Sequence, residues 1–235
     1  MRLDQYLVQE GFVDSRTKAQ ILIKERKVSV NAKAVTKPAF NVTDEKVEVA
    51  DEMIYVSRAA HKLKGFLPSL PFTPKGLEAL DIGASTGGFT QVLLEEGVKS
   101  VTCIDVGRGQ LHQTLLDDKR VTSFENMDIR DYPRQKQYDL VTSDVSFISL
   151  HHILESVDAL SKKWIILLFK PQFEVGKDVK RDSNGVVMDD KAIAAAKTRF
   201  EEETEALGWK LVHHEPSKLS GKEGNLEECY CFEKY

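Results

Sequence analysis

Asp81-Ile-Gly-Ala-Ser-Thr-Gly-Gly-Phe89 is the stretch that decides the fold of this chain. It follows an apolar run over 77–82 and leads into an amphipathic segment over 89–96, which predicts a strand, a tight turn and a helix. Glycines suit the turn because the chain reverses sharply there and its backbone comes close to a ligand. The start of the helix favours a negative group on that ligand. The turn therefore predicts a nucleotide-like ligand.

Around this turn, apolar runs alternate with helical segments, which predicts a doubly wound α/β sheet. Five parallel strands followed by two late strands fit the seven-stranded, Rossmann-like sheet of class I S-adenosylmethionine-dependent methyltransferases. The later predicted strands cover 100–105, 121–124, 138–143, 164–169, 210–214 and 227–232, and the later predicted helices cover 110–116, 147–160 and 189–207.

Three classes of nucleotide ligand compete for the turn. A P-loop requires a lysine after its last glycine, and Gly88-Phe89-Thr90 has none. A dinucleotide fingerprint is G-x-G-x-x-G, whereas this turn is G-x-x-x-G-G, so NAD is weakened without being excluded. Asp81, just before the first glycine, suits the amine-bearing end of S-adenosylmethionine. The spacing therefore favours S-adenosylmethionine.

Two further aspartates follow the next strands of the predicted sheet. Asp105 comes about 20 residues after the turn, where ribose hydroxyls bind in such folds, and Asp128 follows the third strand, where an adenine amino group lies. A single aspartate at a strand end is as often a helix cap, but three beside a glycine-rich turn favour a cofactor site. The predicted cofactor-binding set is Asp81, Gly83, Ala84, Ser85, Gly87, Gly88, Phe89, Asp105, Val106, Asp128, Ile129 and Asp144.

The region 1–56 has a different character, with two short helices followed by short strands. Ser15 is a predicted N-cap for a helix over 16–25, and Gly11 a predicted stop for the helix before it. The basic residues of this second helix also fit a simpler interpretation, a helix face exposed to solvent. However, Arg2-Leu-Asp4, Ser15-Arg16 and the run from Lys27 to Pro38 together resemble the S4 RNA-binding domain, which implies that phosphates are gripped there. The predicted RNA-binding residues are Arg2, Arg16, Lys18, Lys24, Lys27 and Lys37.

Five spaced motifs resemble the FtsJ-like ribose 2′-O-methyltransferases, most closely the TlyA branch, which joins an S4 domain to the catalytic domain. The motifs lie at 57–63, 81–90, 142–147, 170–174 and 224–227. The resemblance implies a catalytic set of Lys62, Asp144, Lys170 and Glu227. It also implies a ribosomal subunit or its RNA as substrate, with a cytidine ribose as target.

These residue types suit the chemistry, because a ribose 2′-hydroxyl must lose its proton as it attacks a methyl carbon. A lysine at the end of a buried strand can serve as the base when burial and a neighbouring cation lower its pKa. Lys170 is the predicted base and Asp144 its orienting partner. Lys62 and Glu227 are predicted to position the ribose.

Simpler interpretations of the same residues compete with these roles. Lys170 before Pro171 also fits a solvated strand end. Lys64 lies close to Lys62 on the same predicted helix, and Glu228 points to the opposite face of the strand from Glu227. The family often has glycines where this chain has Ala59 and Ala60, which bears on how the backbone presents Lys62. Phe147 is predicted to belong to the core rather than to stack on a base.

Composition limits the remaining possibilities. The 235 residues carry a net charge of −4, with 12 basic and 9 acidic residues in 1–64 and 21 basic and 28 acidic residues in the rest. RNA binding therefore requires basic side chains to gather on one face.

No apolar run approaches a membrane span, and the first residues lack the apolar core of a signal peptide, so we expect a cytoplasmic protein. Three cysteines without metal-ligand spacing predict buried free thiols and no structural metal.

The expected organisation is an S4-like domain over 1–56, a linker and substrate-side helix over 57–74, and a methyltransferase domain over 75–235. The leading hypothesis is S-adenosylmethionine-dependent methylation of a ribose 2′-hydroxyl in ribosomal RNA. A pore-forming haemolysin, a ribosome-binding protein without catalysis and an NAD-dependent enzyme are the alternatives. The sequence does not predict an oligomeric state.

Overall fold

The computed structural model describes residues 1–13, 15–49 and 55–235. The chain divides into two compact units, Met1–Ile54 and Tyr55–Tyr235. Residues 50–54, which the sequence analysis assigns to the end of the first region, lie outside the described residues. The stretch 57–74, expected to link the two regions, belongs to the second unit.

The first unit packs two helices against a small antiparallel sheet of order β2-β1-β3. Ser15 caps the second helix by accepting a hydrogen bond from the Lys18 amide, as predicted. Gly11 has φ +75° just after the first helix, which agrees with its predicted role as a stop. The elements are α1 Leu3–Gln9, α2 Arg16–Lys24, β1 Val28–Val30, β2 Lys33–Ala34 and β3 Val47–Val49.

The second unit is a seven-stranded sheet of order β6-β5-β4-β7-β8-β10-β9. The first five strands in this order are parallel to one another, and β10 is antiparallel to both of its neighbours, β8 and β9. This confirms the predicted sheet. Its strands are β4 Glu78–Ile82, β5 Ser100–Ile104, β6 Val121–Phe124, β7 Tyr138–Ser143, β8 Ser161–Phe169, β9 Trp209–Pro216 and β10 Glu228–Lys234.

Helices cover both faces of this sheet. One face packs against α3 and α4 through a cluster that includes Leu63 and Val92, and the other packs against α6 and α8 through Val157 and Phe200. Such a three-layer arrangement leaves a crevice at the carboxyl ends of the strands where the strand order reverses, beside β4. The helices are α3 Ala59–Phe66, α4 Gly88–Glu95, α5 Gln113–Leu116, α6 Leu154–Leu160, α7 Pro171–Glu174 and α8 Asp190–Ala206.

The predicted helix over 147–160 was wrong in its first half. Phe147 has φ +66°, which a right-handed helix excludes, and a short 3₁₀ turn, Leu150–His152, precedes α6. The three cysteines are buried free thiols, as predicted. Across the described ranges, no helix combines the length and apolar character needed to cross a membrane.

Candidate active site

The turn after β4 owes its glycines largely to protein packing. Gly87 has φ +97° and caps α4, and a Cβ atom there would lie 2.1 Å from Leu115 Cδ1. Gly87 lines neither of the cavities described below. Close packing against Leu115 therefore requires a glycine at this position.

Gly88 allows α3 to approach the turn closely. A Cβ atom at Gly88 would lie 2.1 Å from Ser57 Oγ and 2.9 Å from the Ala60 amide nitrogen. Arg58 is the N-cap residue of α3, and no side chain caps the helix, so Ser57 has no capping role. The contact between Ser57 and Gly88 instead joins α3, which carries Lys62, to the turn.

Two adjoining cavities open at the carboxyl ends of the strands. The first has a volume of about 800 Å³ and the second about 330 Å³, which is the range of small-molecule sites. They share a wall that includes Gly83, Ser85, Asp144 and Phe147. A single ligand can therefore extend from one cavity into the other.

The first cavity brings together all four residues predicted to be catalytic. Lys62 Nζ lies 2.5 Å from Glu227 Oε2, and Lys170 Nζ lies 2.5 Å from Asp144 Oδ1. The exposed side-chain fractions are 9% and 3% for the first pair and 7% and 14% for the second. The set contains two buried ion pairs of balanced charge, contributed by α3, the ends of β7 and β8, and the residue before β10.

The structure also distinguishes each of two residues from its neighbour. Lys64 points away from the cavity, with Nζ 2.6 Å from Glu96 Oε1, and its side chain is 43% exposed. Glu228 pairs with Lys197 on α8. Of these two neighbouring pairs, Lys62 and Glu227 line the cavity, and Lys64 and Glu228 do not.

Lys170 is held by three oxygen atoms. Besides Asp144 Oδ1, its ammonium group donates to Ser146 Oγ at 2.8 Å and to the Asp144 carbonyl oxygen at 3.3 Å. Asp144 Oδ1 itself receives no well-aligned hydrogen bond. The predicted solvated strand end is thus excluded for Lys170, which is 6% exposed.

Asp81 is buried against hydroxyl groups. Its carboxylate accepts hydrogen bonds from Thr90 Oγ1 at 2.6 Å and Thr142 Oγ1 at 2.9 Å. No basic side chain is among the partners that the described part of the chain gives it. Burial raises the pKa of Asp81 from 3.8 to about 6. This group lines the first cavity as a carboxylate without a counter-ion.

Asp105 and Asp128 both line the second cavity. The Asp105 carboxylate accepts backbone hydrogen bonds from Ser85 and Gly107, each at 2.7 Å. Asp128 binds the Arg130 guanidinium with both oxygens, at 2.9 and 2.6 Å, and this hydrogen bonding holds the pKa of Asp128 below its usual value. Of the other predicted cofactor residues, Ala84, Gly88 and Phe89 line the first cavity, and Val106 and Ile129 line the second.

Phe147 is not part of the core, which corrects the prediction. Its ring is 93% exposed where the two cavities meet, and its centroid lies 5.5 Å from that of Phe173 at an angle of 54°. The backbone at φ +66° is a conformation that a phenylalanine rarely adopts. An exposed aromatic ring in a strained loop beside a cavity is a feature of ligand sites rather than of folding cores.

Sequence reasoning missed Glu174. It is 6% exposed, and its carboxylate accepts hydrogen bonds from Ser149 Oγ at 2.5 Å and the Leu150 amide at 2.9 Å. Burial raises its pKa above the ordinary value. The motif at 170–174 pointed to its importance, but the partners lie 24 and 25 residues away and only the fold brings them close.

Asn225 and Arg181 were also missed. The Arg181 guanidinium donates to four backbone carbonyl groups within 172–179, and the Asn225 side chain accepts from the Val187 amide at 3.0 Å and donates to the Gly185 carbonyl at 3.3 Å. The Arg181 bonds hold the loop after α7 together, and the Asn225 bonds join that loop to the loop before β10. Both loops line the first cavity.

In the first unit, two of the residues predicted to bind RNA also have a structural partner. Arg2 and Arg16 both bind Asp4, which is fully buried, at 2.9 and 3.0 Å, and Gln20 donates a third bond at 3.0 Å. The arginine side chains nevertheless remain 45% and 53% exposed. Of the others, Lys24 and Lys37 are exposed, Lys18 is partly buried, and Lys27 is partly buried beside Glu25.

The fold and the joined cavities define the class of protein, a Rossmann-like methyltransferase of class I. The S-adenosylmethionine-dependent methyltransferase of Mesorhizobium loti has this fold, with a TM-score of 0.55 at 14% identity over 74% of this chain and 98% of that one. In this sequence, residues 55–234 match the FtsJ-like methyltransferase family and residues 1–48 match the S4 domain.

Several relatives narrow the class further. The 23S rRNA (cytidine-2′-O)-methyltransferase TlyA of Campylobacter jejuni is 42% identical over 100% of both chains. The 16S/23S rRNA (cytidine-2′-O)-methyltransferase TlyA of Mycobacterium tuberculosis is 39% identical over 96% of this chain and 87% of the relative. A structure from Streptococcus thermophilus that carries a hemolysin name has a TM-score of 0.74 at 29% identity, over 100% of this chain and 88% of that one. This chain belongs to the FtsJ-like methyltransferase family, in its TlyA branch.

Proposed function

We propose that this protein transfers a methyl group from S-adenosylmethionine to the 2′-hydroxyl of a cytidine in ribosomal RNA. The observation that carries the proposal is the set of two buried lysine–carboxylate pairs in a cavity that opens onto a second, nucleoside-sized cavity. The names of the Campylobacter jejuni and Mycobacterium tuberculosis relatives supply the cytidine and the choice of 16S or 23S RNA. Such a substrate implies work in the cytoplasm.

The residues present fit S-adenosylmethionine. Asp81 is a buried carboxylate that lacks a counter-ion, so the amine of the methionine end satisfies it. A carboxylate accepts about four hydrogen bonds, and Asp105 uses two for the backbone, which leaves capacity for two ribose hydroxyls. Val106, Ile129 and Ile148 give the second cavity apolar walls for adenine, and Asp128 is a candidate partner for the adenine amino group.

When bound, S-adenosylmethionine supplies an electrophilic methyl group on a positively charged sulfur. Lys170 is the group that takes the proton of the attacking hydroxyl, and only a neutral lysine can accept it. Asp144 lines both cavities, so a second positive charge at their shared wall competes with Lys170 for this carboxylate.

Lys62 and Glu227 act on the substrate ribose in this mechanism. Their ion pair is nearly buried and balanced in charge, so it offers a donor and an acceptor in fixed positions. Ribose hydroxyls both donate and accept hydrogen bonds and can bind across such a pair. Most of the acceleration then comes from alignment of the hydroxyl, the methyl group and the sulfur.

Phe147 and Phe173 provide an aromatic surface for the target base. Stacking of a base on an aromatic side chain contributes about 1 to 3 kcal/mol and is a common means of holding an unstacked nucleotide. The first unit supplies contacts to RNA phosphates through exposed basic side chains such as Lys24 and Lys37.

The test uses labelled S-adenosylmethionine with 30S and 50S subunits from a strain that lacks the activity. We expect label in 23S RNA, 16S RNA or both, and alkaline-resistant linkage at one cytidine when the modified site is mapped. The control is the same RNA with a 2′-deoxycytidine at that position, which has no hydroxyl to accept the methyl group. Absence of label from both subunits, together with no calorimetric binding of S-adenosylmethionine, would overturn the proposal.

A further inference from the structure

The loops that follow β7 and β8 form a closed ring at the mouth of the first cavity. One loop begins with Asp144 and the other with Lys170, whose ion pair closes the ring at the strand ends. At the far end, Glu174 accepts hydrogen bonds from Ser149 and Leu150. The ring is thus closed by the Lys170–Asp144 ion pair at the catalytic end and by the hydrogen bonds of Glu174 at the other end.

The exposed Phe147 and the partly buried Phe173 both lie on this closed structure. Phe147 belongs to the loop after β7, and Phe173 belongs to α7 next to Glu174. Phe147 has a backbone φ of +66°, which costs energy unless the surroundings hold it. The bonds of Glu174 to the residues just after Phe147 fix the end of that strained loop.

The ring is also anchored to the rest of the fold. Arg199 on α8 donates from Nη2 to the Glu174 carbonyl oxygen at 2.8 Å, and Ser149 Oγ accepts from the His151 amide at 3.2 Å. Glu174 therefore does not belong to a mobile surface turn. Its carboxylate joins two anchored segments, one on each side of the cavity mouth.

We infer that Glu174 is a positioning residue, which holds Phe147 and Phe173 as a rigid surface for the target base and keeps Asp144 and Lys170 in register. The inference rests on the proposed function, because it assigns the RNA substrate to that surface. Glu174 touches neither cofactor nor substrate in this role, since it lines neither cavity. Its effect should reach RNA and turnover while S-adenosylmethionine binding is unchanged.

The experiment compares Glu174→Ala and Glu174→Gln in the full-length protein with matched changes at Glu201. Glu201 also accepts a side-chain hydroxyl bond, from Tyr230 at 3.1 Å, but lines neither cavity. We expect Glu174→Ala to lower kcat/KM for the ribosomal subunit about 100-fold, the loss seen when reacting groups are misplaced by about 1 Å. Glu174→Gln keeps an acceptor for the Leu150 amide and should restore most of this loss. The Kd of S-adenosylmethionine should match the wild type in both.

A double-mutant cycle with Phe147→Ala separates positioning from general destabilisation. If Glu174 acts through Phe147, its removal should weaken subunit binding little further in the Phe147→Ala background. Ser149→Ala, which removes only one of the two bonds, gives the same measurement if Glu174→Ala fails to fold. Additive effects on subunit binding, an equal loss of S-adenosylmethionine affinity, or activity of Glu174→Ala equal to that of Glu201→Ala would overturn the inference. Inactivity of the wild type on both subunits would instead overturn the proposed function.

Discussion

Each of the two units buries an aspartate, and the two aspartates are satisfied in opposite ways. Asp4 of the first unit is fully buried beneath two arginines, whose hydrogen bonds hold its pKa well below the usual range. Asp81 of the second unit accepts hydrogen bonds from uncharged groups of Thr90 and Thr142, and burial raises its pKa to about 6. A buried charge with its counter-ions stabilises a fold, whereas one without them favours binding of a cation.

Lys170 gives the strongest test of this distinction. Like Asp4 it has a partner of opposite charge, but unlike Asp4 it lines a cavity. We expect Lys170→Met to lower kcat for methyl transfer about 10³-fold, the middle of the range for loss of a general base. The Kd of S-adenosylmethionine should change little, since Asp81 and Asp105 remain, whereas the melting temperature should fall because Asp144 loses its counter-ion. Lys64→Met is the matched control, because it also removes a lysine ammonium group, but one that pairs with Glu96 outside the cavity. Retained turnover would show that Lys170 is not the base.

Asp81→Asn should separate ligand binding from stability. We expect the affinity for S-adenosylmethionine to fall about 10- to 100-fold, as for loss of a charged hydrogen bond. The same change should stabilise the unliganded protein by about 1 to 3 kcal/mol at pH 7.5, because the amide carries no charge to be desolvated. Calorimetry and denaturant unfolding measure the two effects. A fall in both quantities would mean that the Asp81 charge is already compensated in the free protein.

Asp4→Ala should lower the stability of the protein, in contrast to the gain expected for Asp81→Asn. It removes the acceptor shared by Arg2, Arg16 and Gln20, and we expect the first unit to lose about 2 kcal/mol. Because the Asp4 pKa is depressed, its contribution is present at neutral pH and is lost as pH falls through the folded-state value. Hydrogen exchange of α1 and α2 amides reports the loss. Unchanged protection in both helices would contradict it.

The pH dependence of cofactor binding follows from Asp81 in the intact protein. A raised pKa means that the free folded protein takes up a proton more readily than the unfolded chain, so unliganded stability declines as pH rises from about 4 through about 6. Binding of a cation requires the ionised form. The affinity for S-adenosylmethionine should therefore be constant above pH 7 and about tenfold weaker at pH 5. In Asp81→Asn this pH dependence should disappear.

The smallest effects are expected at exposed cations of the first unit. Lys24→Ala and Lys37→Ala should each weaken subunit binding a few-fold and reduce the slope of log affinity against log salt by about one. Arg16→Ala should weaken binding and also destabilise α1 and α2, because Arg16 holds Asp4. Filter binding at several salt concentrations distinguishes these cases. Equal slopes for all variants and the wild type would exclude phosphate contacts at these residues.

The sequence predicted the second unit well because its signals are local. The turn at 81–89, the alternation of apolar runs and the two late strands all follow from short-range patterns, and the sheet has the expected order. The choice of Lys62 over Lys64 and of Glu227 over Glu228 rested on the resemblance to the family's motifs. The structure supplies the physical reason, because only one member of each neighbouring pair faces the cavity.

Interactions between distant residues were beyond the sequence. Ser57 has the identity of a helix cap, yet it packs on Gly88. Phe147 is an apolar residue in an apolar region, yet a left-handed backbone turns it towards solvent. Arg2 and Arg16 have the pattern of RNA contacts and do not reveal that Asp4 lies between them. In each case the outcome depends on a contact that only the folded chain makes, such as that of Arg16 with Asp4, or on a backbone angle that composition does not encode.

The three buried thiols have a practical consequence. Burial raises the pKa of Cys103, Cys229 and Cys231 to about 12, so almost no reactive thiolate exists at neutral pH. The three natural cysteines of the folded protein should therefore react very slowly with maleimides. A single cysteine introduced at exposed Lys24 or Lys37 should accept a fluorophore selectively, and docking on the ribosome can then be followed without removing any natural cysteine.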